Sequence, residues 1–212
     1  MAFRVSSSLA AFSACSRLLL FILPLWFCLL ARVDALAVNR TDEVKTLLGF
    51  RDANTVDYSS QHRYKGDWLS WKKTDETPCA WFGVTCTANH TVEELDFAGW
   101  GLTLVTLEAL HNLTDLRHLD LSSNYLGVIF PEVIGNFTGL TYLDLSQTGI
   151  SLEDITGIST CWNLRFLALQ QNYLQYLPSG MRDLVNLQYL NLSYNFLGSL
   201  FPTEALGGLS VN

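Results

Sequence analysis

From residue 92 onward, large apolar residues return on a fixed beat. Val92-x-x-Leu95-x-Phe97, Leu116-x-x-Leu119-x-Leu121, Leu140-x-x-Leu143-x-Leu145, Leu164-x-x-Leu167-x-Leu169 and Leu187-x-x-Leu190-x-Leu192 follow at steps of 24, 24, 24 and 23 residues. Further columns keep the same register. Trp100, Asn124, Thr148, Asn172 and Asn195 stand three residues past each unit, and Leu102, Leu126, Ile150, Leu174 and Leu197 two further on. Leu110, Ile134, Ile158 and Met181 follow, then Leu113, Phe137, Cys161 and Leu184. Apolar-x-apolar alternation has period 2, so each unit predicts a short strand with one apolar face. One such strand cannot bury its face alone. Stacked units form a parallel sheet over a continuous core, a solenoid of five repeats spanning 92–209.

The asparagine column has its own role. A buried Asn amide offers two donors and an acceptor, and can satisfy backbone groups left open where each strand turns away. Trp100 and Thr148 interrupt that ladder, and loosening is expected at Thr148. Residues 38–91 read as a cap over the open first edge. Thr41 or Asp42 can cap a helix with an acidic first turn and a stripe at Val44, Leu47 and Leu48. Tyr58 to Gly66 reads as loop. Trp68, Leu69, Trp71, Trp81 and Phe82 then return apolar bulk, which reads as cap packing.

Residues 1–37 read as a secretory signal. Arg4 and Arg17 precede a 13-residue apolar run, Leu18 to Leu30, and Ala35-Leu36-Ala37 suits cleavage. The run falls short of the ~20 residues a bilayer span needs; an N-terminal anchor is the alternative. Removing 1–37 takes away three arginines and one aspartate, moving the formal charge from −7 to −9. An acidic chain without a basic cluster argues against a nucleic-acid partner. In an oxidising compartment the near neighbours Cys79 and Cys86 should bond and leave Cys161 as a small core residue. Five Asn-x-Ser/Thr sites, at Asn39, Asn89, Asn112, Asn136 and Asn191, are expected to carry glycans.

Leu47-Leu48-x-Phe50, Trp68-Leu69-Ser70-Trp71 and Pro78-Cys79-x-Trp81-x-Gly83-Val84-x-Cys86 closely resemble the N-terminal cap of plant leucine-rich-repeat receptor kinases and their secreted relatives. The run Leu116-x-x-Leu119-Asp120-Leu121-Ser122-Ser123-Asn124-x-Leu126, then Phe130-Pro131-x-x-Ile134-Gly135-Asn136-Phe137, resembles the extracellular repeat of that family. The resemblance covers residues 44–209. It implies a leucine-rich-repeat solenoid of the α/β repeat class. Such a fold has a parallel sheet on its concave face, an irregular or 3-10 convex side, and a helical, disulfide-linked N-terminal cap. Val128 and Phe130 depart from the family's Leu-x-Gly-x-Ile-Pro pattern, and the Thr148 repeat lacks proline. A regular second sheet is therefore not expected. Nothing resembling a transmembrane span, kinase or C-terminal cysteine cap follows. Residues 210–212 read as a truncated end, of a shortened gene product or a fragment of a longer receptor, with a last repeat that caps itself weakly as the alternative. An uncovered last repeat would expose Leu197, Leu200 and Leu206.

In this repeat the residues between the leucines point onto the concave face. They form columns Glu94, His118, Tyr142, Phe166, Tyr189; Asp96, Asp120, Asp144, Ala168, Asn191; Ala98, Ser122, Ser146, Gln170, Ser193; and Gly99, Ser123, Gln147, Gln171, Tyr194. Tyr142, Phe166 and Tyr189 form an aromatic stripe, with His118, Asp120, Asp144 and Gln170 beside it. Together these read as a groove for a peptide or protein with aromatic and basic groups. A glycan at Asn191 would shield the groove around Tyr189 and Tyr194. His62, His90, His111 and His118 form no acid–base set, and neither a phosphate loop nor metal-ligand spacing occurs. The expectation is a non-enzymatic binding module without cofactor, secreted or displayed at the plasma membrane. Its partner would be a peptide, a protein or a larger receptor of the same class. A secreted inhibitor of cell-wall hydrolases, resembling the polygalacturonase-inhibiting proteins, or a decoy is the alternative.

Overall fold

The computed structural model describes residues 42–56, 67–103, 107–126, 134–151, 157–177 and 179–198. The chain divides into two units, Met1–Val38 and Asn39–Asn212, and every described residue lies in the second. The secretory signal, Asn39, the Tyr58–Gly66 loop, Val128, Phe130, Leu200, Leu206 and the truncated end lie outside the described residues.

Residues 42–53 form helix α1. Val44, Leu47, Leu48 and Phe50 turn inward and are buried. The exposed Lys45–Asp42 pair at 3.2 Å adds little. Asn54 ends the helix by donating its side-chain amide to the Phe50 carbonyl at 2.6 Å. Short strand β1 (Thr55–Val56) pairs antiparallel with β4 (Leu102–Thr103).

The main sheet has six strands: β2 (Val84–Cys86), β3 (Val92–Asp96), β5 (His118–Asp120), β6 (Tyr142–Asp144), β7 (Phe166–Ala168) and β8 (Tyr189–Asn191). From β3 to β8 the strands are parallel, with Leu95, Leu119, Leu143, Leu167 and Leu190 side by side. The first four of these are fully buried, each contributing about 1.5–3 kcal/mol of apolar burial. On the far side, 3-10 turns at Glu108–Asn112, Ile134–Asn136, 157–160 and Ser179–Asp183 carry Leu110, Ile134, Ile158 and Met181 into the core. Beyond the β1–β4 pair, no second sheet flanks the main one among the described residues.

The cap adds β2, a strand the repeat beat does not announce. It runs antiparallel to β3, with Val84 opposite Leu95 and Thr85 opposite Glu94, and so covers the first edge. The Cys79–Cys86 disulfide closes the loop that delivers it. Gly83 precedes β2 at φ +77°, where a Cβ would lie 2.5 Å from the Asp96 carbonyl; no larger residue fits. Phe50, Trp68, Trp71, Trp81, Phe97 and Trp100 pack as one aromatic cluster. Phe50 stacks on Phe97 at 5.3 Å, and Trp68 meets Trp100 edge-on at 4.7 Å. Trp100 therefore leaves the asparagine column because its ring belongs to the cap core.

The Asn ladder forms as its chemistry requires. Asn124 donates to the Phe97 and Leu121 carbonyls at 2.8 and 2.9 Å and accepts from the Leu102 N–H at 2.9 Å. Asn172 and Asn195 repeat the arrangement. Loosening at Thr148 does not occur. Its side chain is fully buried, and its hydroxyl donates to the Leu145 carbonyl at 2.6 Å. The Leu126 N–H, left without a side-chain acceptor, turns to the Thr148 carbonyl at 3.1 Å. A shorter polar group thus closes the same turn through backbone.

Candidate functional site

Strand alternation puts His118, Tyr142, Phe166 and Tyr189 on the face opposite the leucines. Parallel pairing makes each the neighbour of the next. Their rings stack as one column: His118 on Tyr142 at 3.8 Å between centroids, Tyr142 on Phe166 at 4.2 Å, Phe166 on Tyr189 at 4.3 Å. Interplanar angles are 6°, 6° and 1°. Since each ring occupies its neighbour's face, solvent in the groove meets ring edges and polar tips. Tyr189, at the end of the column, is 44% exposed. The sequence shows three aromatics in register. That they stack, and that His118 joins them, follows only from strand spacing. The Tyr142 hydroxyl is pushed up to about 12 by burial first and then by Asp144, Asp120 and Asp96. It stays an O–H donor across ordinary pH.

The acidic column serves the turns. Asp96, Asp120 and Asp144 each accept the backbone N–H two residues on, from Ala98, Ser122 and Ser146, at 3.1, 2.8 and 2.8 Å. Asn191 does the same for Ser193 at 3.1 Å. Burial raises the Asp120 carboxyl above its usual range. The Ser122 hydrogen bonds oppose this, while Asp144 and Asp96 add to it. The stripe is therefore a set of turn-forming side chains that also leaves negative charge beside the aromatic column. Ala168 occupies this column in the fourth repeat and is buried rather than displayed. Next to it, Gln170 keeps a buried side-chain oxygen with no hydrogen-bond partner among the described residues.

The fourth column was not legible as backbone. Gly99, Ser123, Gln147, Gln171 and Tyr194 all adopt positive φ, between 55° and 66°. Only the first is glycine. These residues sit in the turn after each strand, not on the strand. Ser123 donates to the Gln147 side-chain oxygen at 3.1 Å, and the Gln147 amide donates to that of Gln171. The result is a polar ladder along the sheet's exit edge.

The remaining residues, Asn191 excepted, fall apart from the groove. Asn89, Asn112 and Asn136 are exposed. The Asn191 amide lies 3.4 Å from the Tyr189 hydroxyl. Cys161 is buried, its thiol pushed up to about 12 by burial, and it donates to the Ile134 carbonyl at 3.2 Å. Among the described residues no group of three His, Cys, Asp or Glu side chains is placed to hold a metal. No described helix is long and apolar enough to cross a membrane.

Comparison with known proteins points one way. Models described as leucine rich repeat match residues 91–150 and 186–209, and the leucine rich repeat N-terminal domain matches 40–87. An Arabidopsis thaliana protein, the LRR receptor-like serine/threonine-protein kinase RGI5, is 37% identical over 62 residues, 29% of this chain and 6% of its own length. The first five such relatives are matched over only 6% to 13% of their lengths. The Arabidopsis BIR2 ectodomain superposes with a TM-score of 0.65 at 25% identity, covering 76% of this chain and 84% of that one. A chain of the Arabidopsis BIR3–SERK2 complex superposes at 0.62 with 26% identity, covering 79% and 93%.

Proposed function

The chain belongs to the leucine-rich-repeat family, in the form its plant extracellular members take, and from that premise we propose that it recognises a peptide or protein partner through the concave face of its sheet. The observation that carries this reading is the stacked column His118–Tyr142–Phe166–Tyr189, bordered by Asp96, Asp120 and Asp144. Neighbouring rings hold one another, so little side-chain freedom is lost on binding. Ring edges, the Tyr142 O–H and nearby carboxylates suit an extended segment with basic or hydrogen-bonding groups. Five parallel strands at ~4.8 Å span about 20 Å, enough for roughly 800 Å² per partner. A sister ectodomain or a short peptide fits that area. The similar chain solved in a BIR3–SERK2 complex supports a protein partner for a fold of this size. We assign the chain a receptor or co-receptor ectodomain role at the cell surface, with the first 37 residues acting as its export signal.

The test is biolayer interferometry of the full secreted chain against a panel of plant secreted peptides and leucine-rich-repeat ectodomains. Tyr142→Ala and Phe166→Ala should each weaken a bound partner by about 2 kcal/mol, roughly thirtyfold. Val185→Ala, on an exposed residue away from the sheet, should change nothing. Binding that survives both concave-face substitutions would remove the groove from the account.

A further inference from the structure

A second row of side chains runs just past the asparagine ladder: Gly101, Tyr125, Gly149, Tyr173 and Phe196. Tyr125 and Tyr173 are 64% and 58% exposed. Gly149 lies between them at φ +76°. A Cβ placed there would sit 3.4 Å from Tyr125 Cε2 and 3.8 Å from Tyr173 Cε2. The two rings thus approach within about 7 Å, with only glycine backbone beneath. Carbon surfaces in contact lie roughly 3.5–4 Å apart, so a ligand carbon held over Gly149 would touch both rings at once. Beyond it Tyr173 and Phe196 continue the row, 6.0 Å apart and 10° from parallel.

The rim is polar. Ser123, Gln147 and Gln171, each two residues before a member of the row, form the exposed ladder already described. Within that ladder Gln171 accepts through its oxygen, which leaves its amide N–H groups to the outside. Neither row contains a basic residue, and the chain carries a formal charge of −7.

We propose that the Tyr125–Gly149–Tyr173 notch binds one pyranose ring of a neutral oligosaccharide whose hydroxyls are equatorial, such as a β-linked glucan. The C–H faces of that ring stack between the tyrosines, and its rim hydroxyls meet the glutamine amides and tyrosine hydroxyls. A purely apolar ring would leave the amide row unused. An acidic sugar would meet net negative charge with no counterion.

Isothermal titration of the full chain with cellohexaose tests this, with an oligogalacturonate and a tryptophan-containing peptide as the other arms. Cellohexaose alone should bind. Tyr125→Ala and Tyr173→Ala should each weaken it roughly five- to tenfold. Gly149→Asn, one of the few L residues that visit left-handed backbone, fills the notch and should abolish binding while lowering the thermal melt only slightly. Phe166→Ala should leave cellohexaose affinity unaltered, which separates this site from the concave groove. Failure of cellohexaose to bind, affinity retained in Gly149→Asn, affinity lost in Phe166→Ala, or binding of the peptide instead would each overturn the proposal.

Discussion

Asn172→Ala removes one rung of the ladder at its most engaged position. The side chain is 3% exposed. Its amide donates to Leu145 and Leu169 carbonyls at 2.8 and 3.0 Å, and its oxygen accepts the Thr148 and Ile150 N–H groups at 3.1 and 3.2 Å. Both carbonyls keep a second donor, Leu145 from the Thr148 hydroxyl and Leu169 from the Asn195 amide. The two N–H groups have no such reserve and would be left unpaired. At about 1–3 kcal/mol for each stranded group, with a smaller loss at the carbonyls, the expected cost is about 3–4 kcal/mol. That is a large share of the roughly 5–15 kcal/mol that holds a domain folded. The melting temperature should fall by about 10 °C for a domain of this size. Thermal melts followed by circular dichroism, with urea titrations at constant slope, measure it. Asn163→Ala is the control: its exposed amide donates to the Thr138 carbonyl at 2.8 Å, where water can substitute. If Asn172→Ala costs no more than Asn163→Ala, the ladder does not stabilise the solenoid as argued.

Three further outcomes are expected. Burial holds the Glu43 carboxyl above its ordinary value of 4.5, against the Val92 N–H that it accepts at 3.2 Å; Asp115 adds to the rise. The folded state thus keeps a proton just above that pH where the unfolded chain has released it. Its contribution is full at lower pH and is lost as pH rises through the folded value. The melting temperature of wild type relative to Glu43→Gln should therefore decline as pH rises above the ordinary value of 4.5, and parallel curves would refute the assignment. Cys161, buried with its thiol near 12, should resist iodoacetamide at pH 8 until denaturant is added, as peptide mapping would show. Replacing Cys79 and Cys86 by alanine opens a loop with a sequence separation of 7 and should cost about 2–3 kcal/mol in urea unfolding; an unchanged midpoint would contradict it.

The hydrophobic beat alone determined most of the architecture. A leucine every 24 residues can be buried only by stacking, so strand order, parallel pairing, the buried columns and the asparagine ladder were all present in the spacing. The disulfide was legible too, because Cys79 and Cys86 are near neighbours in an export-type chain. What periodicity could not carry were properties that depend on the adjacent turn of the solenoid. Strand β2 has no partner in the beat and is placed by Gly83 and the disulfide. Ser123, Gln147, Gln171 and Tyr194 give no sign in their chemistry that they take left-handed backbone; the turn imposes it. Thr148 was expected to weaken its rung, but its own backbone carbonyl accepts the Leu126 N–H of the preceding repeat. The aspartates, a charged row in the sequence, also brace turns. Four side chains 23 or 24 residues apart become one stacked column, and a glycine between two tyrosines becomes a notch, because pairing brings successive repeats within ring-contact distance. Sequence spacing sets which residues share a column; only the packed fold decides what those neighbours do to one another.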